Sequence, residues 1–197
     1  FSAMGWDTVT PIPTYVKVTN GYEDASASGA EYPLQVMNPH YLRRAHSVFD
    51  NIGWLREAWT NPVFISTADA EAAGVSDGDT VLVSSPYGQC VRNACVYAGL
   101  MPGVVALPHG AWVAVDEETG IDVAGADNCL TGPAPNGQGV SGYNSALCKI
   151  EKYTGEALAP DAEQPLKAWY EEATSAIWRQ PADIKAQYRS ASVLKNR

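Results

Sequence analysis

Residues 77–97 read DGDTVLVSSPYGQCVRNACVY, and this stretch decides the fold class. A turn at Asp77-Gly78-Asp79 precedes an apolar run at 80–84, and Pro86-Tyr87-Gly88 separates that run from another at 90–97. Two β-type runs joined by a short turn predict a hairpin. Similar short runs, most of them next to Pro, Gly or Asn, occur at 33–37, 63–65, 104–107 and 145–151. This pattern predicts a mainly β domain and is more typical of a closed barrel than of a parallel α/β sheet.

Two short helices are predicted between these strands. Residues 51–59 carry apolar side chains at helical spacing, and Asn61-Pro62 ends that helix before the run at 63–65. A capping box at 66–69 then begins a helix of about two turns, and Gly74 ends it.

The chain has three parts that differ in composition. Residues 1–31 are rich in Thr, Pro, Gly, Ser and Ala, and they predict an extended lead-in. Residues 32–152 contain the predicted β domain. Residues 153–197 predict a helical extension with amphipathic helices at 164–178 and 181–194. We expect this extension either to pack on the barrel or to dock a neighbouring subunit.

Composition restricts the function. The 197-residue chain carries a net charge of −9, and the acidic excess lies in residues 1–152. This charge disfavours binding to nucleic acid or to an anionic membrane, because both need clustered Lys and Arg. No apolar run is long enough to span a bilayer, and no export signal opens the chain. Because the chain begins with Phe1, we expect a fragment of a longer protein.

The four cysteines match neither a zinc-site spacing nor a redox Cys-x-x-Cys motif. We interpret Cys90, Cys95, Cys129 and Cys148 as small buried hydrophobic residues, since free cysteine is among the most buried residue types. A disulfide between Cys90 and Cys95 remains open.

The most distinctive polar stretch follows the first predicted strand directly. Residues 38–47 (NPHYLRRAHS) contain two of the three histidines and the adjacent pair Arg43-Arg44. Arginine presents a planar set of donors to anionic oxygens, and neighbouring His, Ser and Asn side chains add further donors. The stretch predicts a site for phosphates or a polar heterocycle, and a solvated loop is the alternative.

A second stretch, residues 102–112, runs from a strand into a glycine beside an indole. Gly110 would let the backbone approach a flat ligand closely, and His109 or Trp112 could pack against that ligand. Core packing of Trp112 is the alternative.

A third stretch offers side-chain amides. Asn128 precedes a Gly- and Pro-rich loop that contains Gln138 and Asn144. Amides place a donor beside an acceptor, as recognition of purine edges requires. Turn formation is the alternative role of such residues.

These motifs, in this order, resemble the C-terminal domain of the dimethyl sulfoxide reductase family of molybdopterin-dependent oxidoreductases, and within it the anaerobic dimethyl sulfoxide reductases. The matching residues are Tyr32-Pro33-Leu34-Gln35, His40-Tyr41, Arg43-Arg44, His46-Ser47, Phe49, Asn51, Gly74-Val75, Asp77-Gly78-Asp79, Val81, Val83, Pro102-Gly103-Val104, His109-Gly110-Ala111-Trp112, Asn128, Leu130-Thr131, Asn144 and Ile150-Glu151-Lys152.

The resemblance implies a double-psi β-barrel over residues 32–152 that closes over a bis-molybdopterin guanine dinucleotide. In this family the barrel does not supply the molybdenum ligand. The cofactor contacts that the resemblance implies are Asn38, His40, Arg44, His46, Ser47, His109, Gly110, Trp112, Asn128, Gln138 and Asn144.

The resemblance also implies what the parent protein contributes elsewhere. The molybdenum ligand and the cysteines of an iron–sulfur cluster come from upstream regions in this family, and neither has a candidate in this chain. The complete protein is expected to reduce an S-oxide or N-oxide by oxygen-atom transfer in anaerobic respiration. An iron–sulfur subunit would deliver the electrons at the cell envelope. The domain alone is expected to be inactive.

Two other functions are weighed against this one. A double-psi barrel binding module unrelated to molybdenum is the main alternative, and scattered loops at 38–47, 109–112, 128–131 and 138–144 would favour it. A hydrolase using His46, Ser47 and Asp50 is disfavoured, because adjacent side chains diverge on an extended strand and no oxyanion site is evident.

Overall fold

The computed structural model describes residues 2–5, 12–15, 17–133 and 145–155. The chain divides into two units, 1–160 and 161–197. The second unit, with both predicted helices of the C-terminal extension, lies outside the described residues.

Six strands form one closed barrel in the described part of the chain. They are β1 (Leu34–Met37), β2 (Pro62–Ile65), β3 (Thr80–Ser84), β4 (Gln89–Val96), β5 (Val104–Ala106) and β6 (Leu147–Lys152). Their order around the barrel is β1-β5-β2-β4-β3-β6, and β6 pairs with β1 to close it. The β1–β5 and β2–β4 pairs are parallel, and the other pairs are antiparallel. The predicted mainly β, closed barrel is confirmed, and it is consistent with a double-psi barrel.

Alternating β-branched residues build the core, because every second strand position points into the barrel. Val81 and Val83 of β3 are fully buried, and Val63 and Ile65 of β2 are fully buried at the same spacing. Each such side chain contributes about 1.5–3 kcal/mol through burial. The predicted hairpin is β3–β4, with Val83 opposite Cys90.

Three α-helices are described: α1 (Tyr22–Ala25), α2 (Gly53–Ala58) and α3 (Thr67–Ala73). The Ser66 side chain caps α3 by accepting a hydrogen bond from the Asp69 backbone N–H, and Gly74 ends the helix in the left-handed conformation. α2 lies within the predicted range 51–59. Within the described ranges, no helix has the length and apolar character needed to cross a membrane.

The lead-in is less extended than its composition indicates. Tyr22–Ala25 form a helical turn and Ser2–Met4 a 3-10 turn. Glu23 and Asp24 lie in the first turn of α1, where the helix dipole favours negative charge. These two short segments of the predicted lead-in are thus helical turns. Asn20 ties the lead-in to the barrel by donating a hydrogen bond to the Tyr87 hydroxyl (3.1 Å).

All four cysteines are free thiols. Cys90 and Cys148 are buried as predicted, whereas Cys95 and Cys129 are partly exposed. Burial raises the pKa of Cys90 to about 12 and that of Cys129 to about 11. No disulfide joins Cys90 to Cys95.

Strand direction brings two long segments to one end of the barrel. β1 and β5 are parallel neighbours, so the segments that follow Met37 and Ala106 leave the barrel at the same end. β2 runs antiparallel to β5, which puts Asn61 at this end as well. We call residues 38–50 the first loop and residues 107–126 the second loop.

Candidate functional site

A buried carboxylate joins the first loop to the second. Asp50 is 1% exposed. Its Oδ1 accepts hydrogen bonds from Arg43 Nη2 (2.6 Å) and Arg44 Nη1 (2.9 Å), and its Oδ2 accepts one from the Trp112 backbone N–H (2.8 Å). From α2, Arg56 donates to the Asp50 carbonyl through Nε (2.7 Å) and to Oδ2 through Nη2 (3.3 Å). Three guanidinium groups thus surround one carboxylate, and this ion cluster carries net positive charge.

Arg44 is the member of the cluster that reaches furthest into the second loop. Besides Asp50, its guanidinium donates to the carbonyls of His109 (2.8 Å) and Pro108 (2.8 Å) and to Asn61 Oδ1 (2.9 Å). Its side chain is 1% exposed. The donors of Arg44 therefore meet protein acceptors, and they fix the backbone of the second loop next to His109.

The Arg43 guanidinium loses contact with water in the same ion cluster, and this burial is unfavourable for its charge. Burial lowers its pKa to about 10, and the neighbouring Asp50 carboxylate opposes this shift. The guanidinium is still charged at neutral pH. Its Nε is buried without a hydrogen-bond partner in the described part of the chain, so Asp50 is its principal compensation.

A third buried arginine supports the barrel end from inside. Arg92 of β4 is 1% exposed. It donates to the carbonyls of Pro62 (3.0 Å) and Pro108 (3.1 Å), and so links the start of β2 to the second loop. Pro108 accepts from both Arg44 and Arg92, which fixes the position of the residue before His109.

Gly110 permits the closest backbone approach between the two loops. A Cβ atom at this position would stand 2.0 Å from the His46 carbonyl oxygen, and Gly110 has φ +90°. The atoms opposite this glycine are therefore those of the first loop, whereas the sequence suggested a flat ligand there. Trp112 adds a further link, because its indole Nε1 donates to the Ser47 carbonyl (2.9 Å).

His46 lies at the corner of a tight turn. The Val48 N–H donates to the Ala45 carbonyl (2.9 Å), and the Ala45 N–H donates to the Val48 carbonyl (3.2 Å). His46 has φ +51°, a conformation in which His is enriched among non-glycine residues. Both His46 and Ser47 are exposed to solvent at this turn.

The three imidazoles converge where the loops meet. His46 Nδ1 lies 3.2 Å from His109 Nε2. The ring of His40 packs edge-on at 5.1 Å from that of His46 and at 4.6 Å from that of His109. His40 and His46 are exposed and His109 is partly exposed, so solvent reaches this cluster.

Asp127 anchors the same region from the 3-10 helix Asp127–Leu130. Its carboxylate accepts hydrogen bonds from the Gly110 N–H (3.1 Å) and from Asn38 Nδ2 (3.2 Å). Asp122 stabilises the second loop itself, since its Oδ1 accepts from the N–H groups of Ala114 (2.8 Å) and Ala124 (3.2 Å).

Most of the sequence-predicted contacts are thus brought together. Asn38, Arg44, His46, Ser47, His109, Gly110 and Trp112 are joined by hydrogen bonds or close contacts, and His40 packs against two of them. Asn128 is exposed beside Asp127. Gln138 and Asn144 lie outside the described residues. The loops at 38–47 and 109–112 therefore converge, and Asp127 ties the start of the segment at 128–131 to them.

Five residues of this arrangement were not identified from the sequence as site residues: Arg56, Asn61, Arg92, Asp122 and Asp127. Asp122 and Asp127 occur in a stretch for which no motif was identified, and Arg92 lies within a predicted strand. The usable signal was Arg92, since a charge in the middle of an apolar strand needs a buried partner or a functional reason.

The arrangement does not form the predicted alternative of a hydrolase. The Asp50 carboxylate accepts from three arginines and from the Trp112 N–H. His46 faces His109, and its side chain makes no hydrogen bond to Ser47 or Asp50 among the described residues.

A separate cleft of about 320 Å³ lies between the lead-in and the barrel. Tyr15, Asn20 and Tyr22 line it on one side, and Gln35 and Val104 on the other. Among the described residues, none of the sequence-predicted cofactor contacts lines this cleft. The convergent loops, rather than this cleft, concentrate the donors.

Two protein-family models match separate parts of this chain. The Molydopterin dinucleotide binding domain model matches residues 34–146, a range that contains both loops and the Asp50 cluster. The chain belongs to this family. A second family model, the RelE-like toxic component of a toxin–antitoxin system, matches residues 162–197, which lie outside the described residues.

Two curated relatives of this dinucleotide-binding domain carry the name of reductases. A probable dimethyl sulfoxide reductase chain YnfF of Escherichia coli K12 is 35% identical over 147 residues, covering 73% of this chain and 18% of the relative. Dimethyl sulfoxide/trimethylamine N-oxide reductase of Cereibacter sphaeroides is 33% identical and covers 77% of this chain and 19% of the relative. The chain thus spans about a fifth of the length of these relatives. The resemblance stated from the motifs is confirmed.

The domain's fold recurs in solved structures. Acetylene hydratase from Pelobacter acetylenicus matches with a TM-score of 0.63 at 21% identity, covering 78% of this chain and 22% of that protein. At this identity the match supports the barrel fold alone. Membership in the dinucleotide-binding family favours the cofactor interpretation over a barrel module unrelated to molybdenum.

Proposed function

We propose that this domain forms one wall of a bis-molybdopterin guanine dinucleotide site in a molybdenum-dependent oxidoreductase that reduces an S-oxide or N-oxide such as dimethyl sulfoxide. The observation that carries the proposal is the convergence of the first loop, the second loop and Asp127 at one end of the barrel. When bound, the cofactor supplies the molybdenum centre for oxygen-atom transfer. The chain's own residues bind and orient the organic part of the cofactor.

The donor set fits an anionic dinucleotide. The imidazoles of His40, His46 and His109 are accessible to solvent. Ser47, which follows His46, and Asn128, which follows Asp127, are also exposed. Three arginines share the single carboxylate of Asp50, so this ion cluster adds net positive charge near the loops in a chain whose net charge is −9. Positive charge and neutral donors together suit a pyrophosphate linked to a heterocycle.

Arg44 acts as a positioning residue in this proposal. Its guanidinium is engaged by Asp50, Asn61 and two carbonyls of the second loop. It fixes the backbone that carries His109 and adds its charge to the local field. Trp112 contributes an indole that is 49% exposed, and its ring can pack against a flat heterocycle.

The remaining parts of the enzyme lie beyond this domain in the proposal. Upstream regions of the parent polypeptide supply the molybdenum ligand and an iron–sulfur cluster. An iron–sulfur subunit delivers electrons, and the complex works at the cell envelope. This division is supported by the share of the relatives' length that the domain spans. The isolated domain therefore has no reductase activity, and turnover of dimethyl sulfoxide by the purified chain would contradict this.

The binding proposal is tested with guanosine diphosphate as the probe. We expect backbone amide shifts in the NMR spectrum of the purified chain to concentrate at residues 38–47, 109–112 and 128. His40→Ala and Asn128→Ala should weaken binding. Asn20→Ala, in the separate cleft, is the matched control and should leave binding unchanged. Shifts confined to that cleft, or equal affinity in all variants, would contradict the proposal.

A further inference from the structure

All histidines of the chain meet at one point. The sequence contains three, and their ring nitrogens lie within 4.8 Å of one another. His40 and His46 belong to the first loop and His109 to the second, so separate segments supply the cluster. Neutral imidazole is the most common nitrogen ligand of transition metals in proteins.

The nitrogen spacing is already close to that of a metal site. Zinc binds histidine at about 2.0–2.1 Å in tetrahedral geometry, which sets neighbouring nitrogens about 3.4 Å apart. His46 Nδ1 and His109 Nε2 are 3.2 Å apart. His40 is exposed, and its side chain needs to approach by no more than about 1.5 Å to complete this spacing.

His109 has the second contact that metal-binding histidines usually have. Its Nδ1 lies 3.3 Å from the Asn38 carbonyl oxygen, so an Nδ1–H donated there leaves the Nε2 lone pair directed at the cluster. Metal ligands of this kind typically donate their other ring N–H to a carbonyl or carboxylate, which fixes the tautomer and the ring orientation. Asn38 is itself held by Asp127 Oδ2 (3.2 Å).

The backbone of His46 is constrained in the same way. The tight turn Ala45–Val48 sets its conformation, and Gly110 packs directly against its carbonyl. The nearest positive charges, Arg43 and Arg44, are buried and bonded to Asp50. Their repulsion of a cation is therefore partly offset.

We propose that His40, His46 and His109 form a three-histidine site for a divalent transition metal ion of the zinc class. Three protein ligands leave one tetrahedral position for water or for an anionic oxygen. The proposal goes beyond dinucleotide binding, because it rests on imidazole geometry and requires no nucleotide.

The test is a calorimetric titration of the reduced, chelator-stripped chain with zinc, and with magnesium as the hard-ion control. We expect one zinc ion per chain and no heat from magnesium. His40→Ala and His109→Ala should each lower zinc affinity by about tenfold or more. His40 is exposed, so its substitution leaves the core intact. A Cys95→Ser/Cys129→Ser variant removes the two accessible thiols and should bind zinc as the wild type does.

Two spectroscopic measurements identify the ligands. With cobalt in place of zinc, a tetrahedral visible absorption without a thiolate charge-transfer band is expected. In an NMR spectrum of imidazole nitrogens, all three histidine signals should shift with zinc. Absence of zinc binding at millimolar concentration, unchanged affinity in both histidine variants, or a thiolate band would each overturn the proposal. Because no nucleotide is present, these outcomes are independent of guanosine diphosphate binding.

Discussion

The Asp50→Asn substitution tests whether the buried ion cluster holds the two loops together. Asparagine has the shape of aspartate but no charge, and only one of its two terminal atoms accepts hydrogen bonds. Asp50 Oδ1 serves Arg43 and Arg44, and Oδ2 serves the Trp112 N–H. Whichever way the amide is oriented, its NH₂ group therefore faces another donor.

The expected cost follows from the burial of the partners. The side chains of Arg43 and Arg44 are 3% and 1% exposed, so water cannot replace the lost carboxylate. Removing one partner of a buried ion pair typically costs about 3–5 kcal/mol. Because a domain is stable by only about 5–15 kcal/mol, this is a large fraction of the total.

Urea unfolding followed by tryptophan fluorescence measures this cost. With a slope of about 2 kcal/mol per M, the midpoint should fall by roughly 2 M. Glu151→Gln is the matched control, because the Lys149–Glu151 pair is also a carboxylate–cation contact (3.1 Å) but is exposed. It should leave the midpoint unchanged. Equal midpoints for the two variants would refute the assigned role of Asp50.

Three further substitutions address separate features. Gly110→Ala places a Cβ 2.0 Å from the His46 carbonyl oxygen and should lower the free energy of unfolding by about 2 kcal/mol or more. Gly103→Ala is the control, because Gly103 has φ +82° but open space around it, and it should cost less in the same urea assay. Equal losses in the two variants would argue against the loop contact. Burial raises the Cys90 pKa from 9.0 to about 12. Between these values the folded state keeps a proton that the unfolded state loses. The free energy of unfolding should therefore fall as pH rises from 9 to 12, by up to about 1.4 kcal/mol per pH unit. Cys90→Ala should make this decline shallower when unfolding is measured across that range, and an unchanged slope would exclude Cys90 as a source. Ser66→Ala removes the side chain that caps the Asp69 N–H (3.1 Å) and should lower the free energy of unfolding by about 1 kcal/mol. Ser76→Ala, at an exposed position, is the control and should leave the melting temperature unchanged. Equal melting temperatures for the two variants would contradict the capping role.

Local signals predicted the elements of the barrel well. The turn before β3 and the turn between β3 and β4 lie within a few residues of the strands that they join, and Ser66 and Gly74 bound α3 as predicted. The strand order was not predictable in the same way. Parallel pairing of β1 with β5 joins Gln35 to Val104, and no turn motif specifies a partner at that sequence separation.

The sequence predicted where the candidate site lies, but not which of its charged side chains bond to one another inside the protein. The Arg43-Arg44 pair suggested ligand contacts because arginine binds anionic oxygens. Asp50, six residues beyond Arg44, has no apolar pattern around it that indicates burial, yet it is 1% exposed and takes hydrogen bonds from both arginines. Sequence spacing does not reveal which charges a loop turns inward.

Closure of the barrel also constrains how the domain is made. β1 and β6 are the first and last strands in the described part of the chain, and they pair directly, with Leu34 opposite Cys148. Protein synthesis proceeds from the N-terminus, so β1 leaves the ribosome long before β6 has been synthesised. Until then β1 and β3 each present an unpaired edge that can recruit other strands. Emergence of β6 both seals the ring and removes the two edges at which a nascent chain is most prone to aggregate.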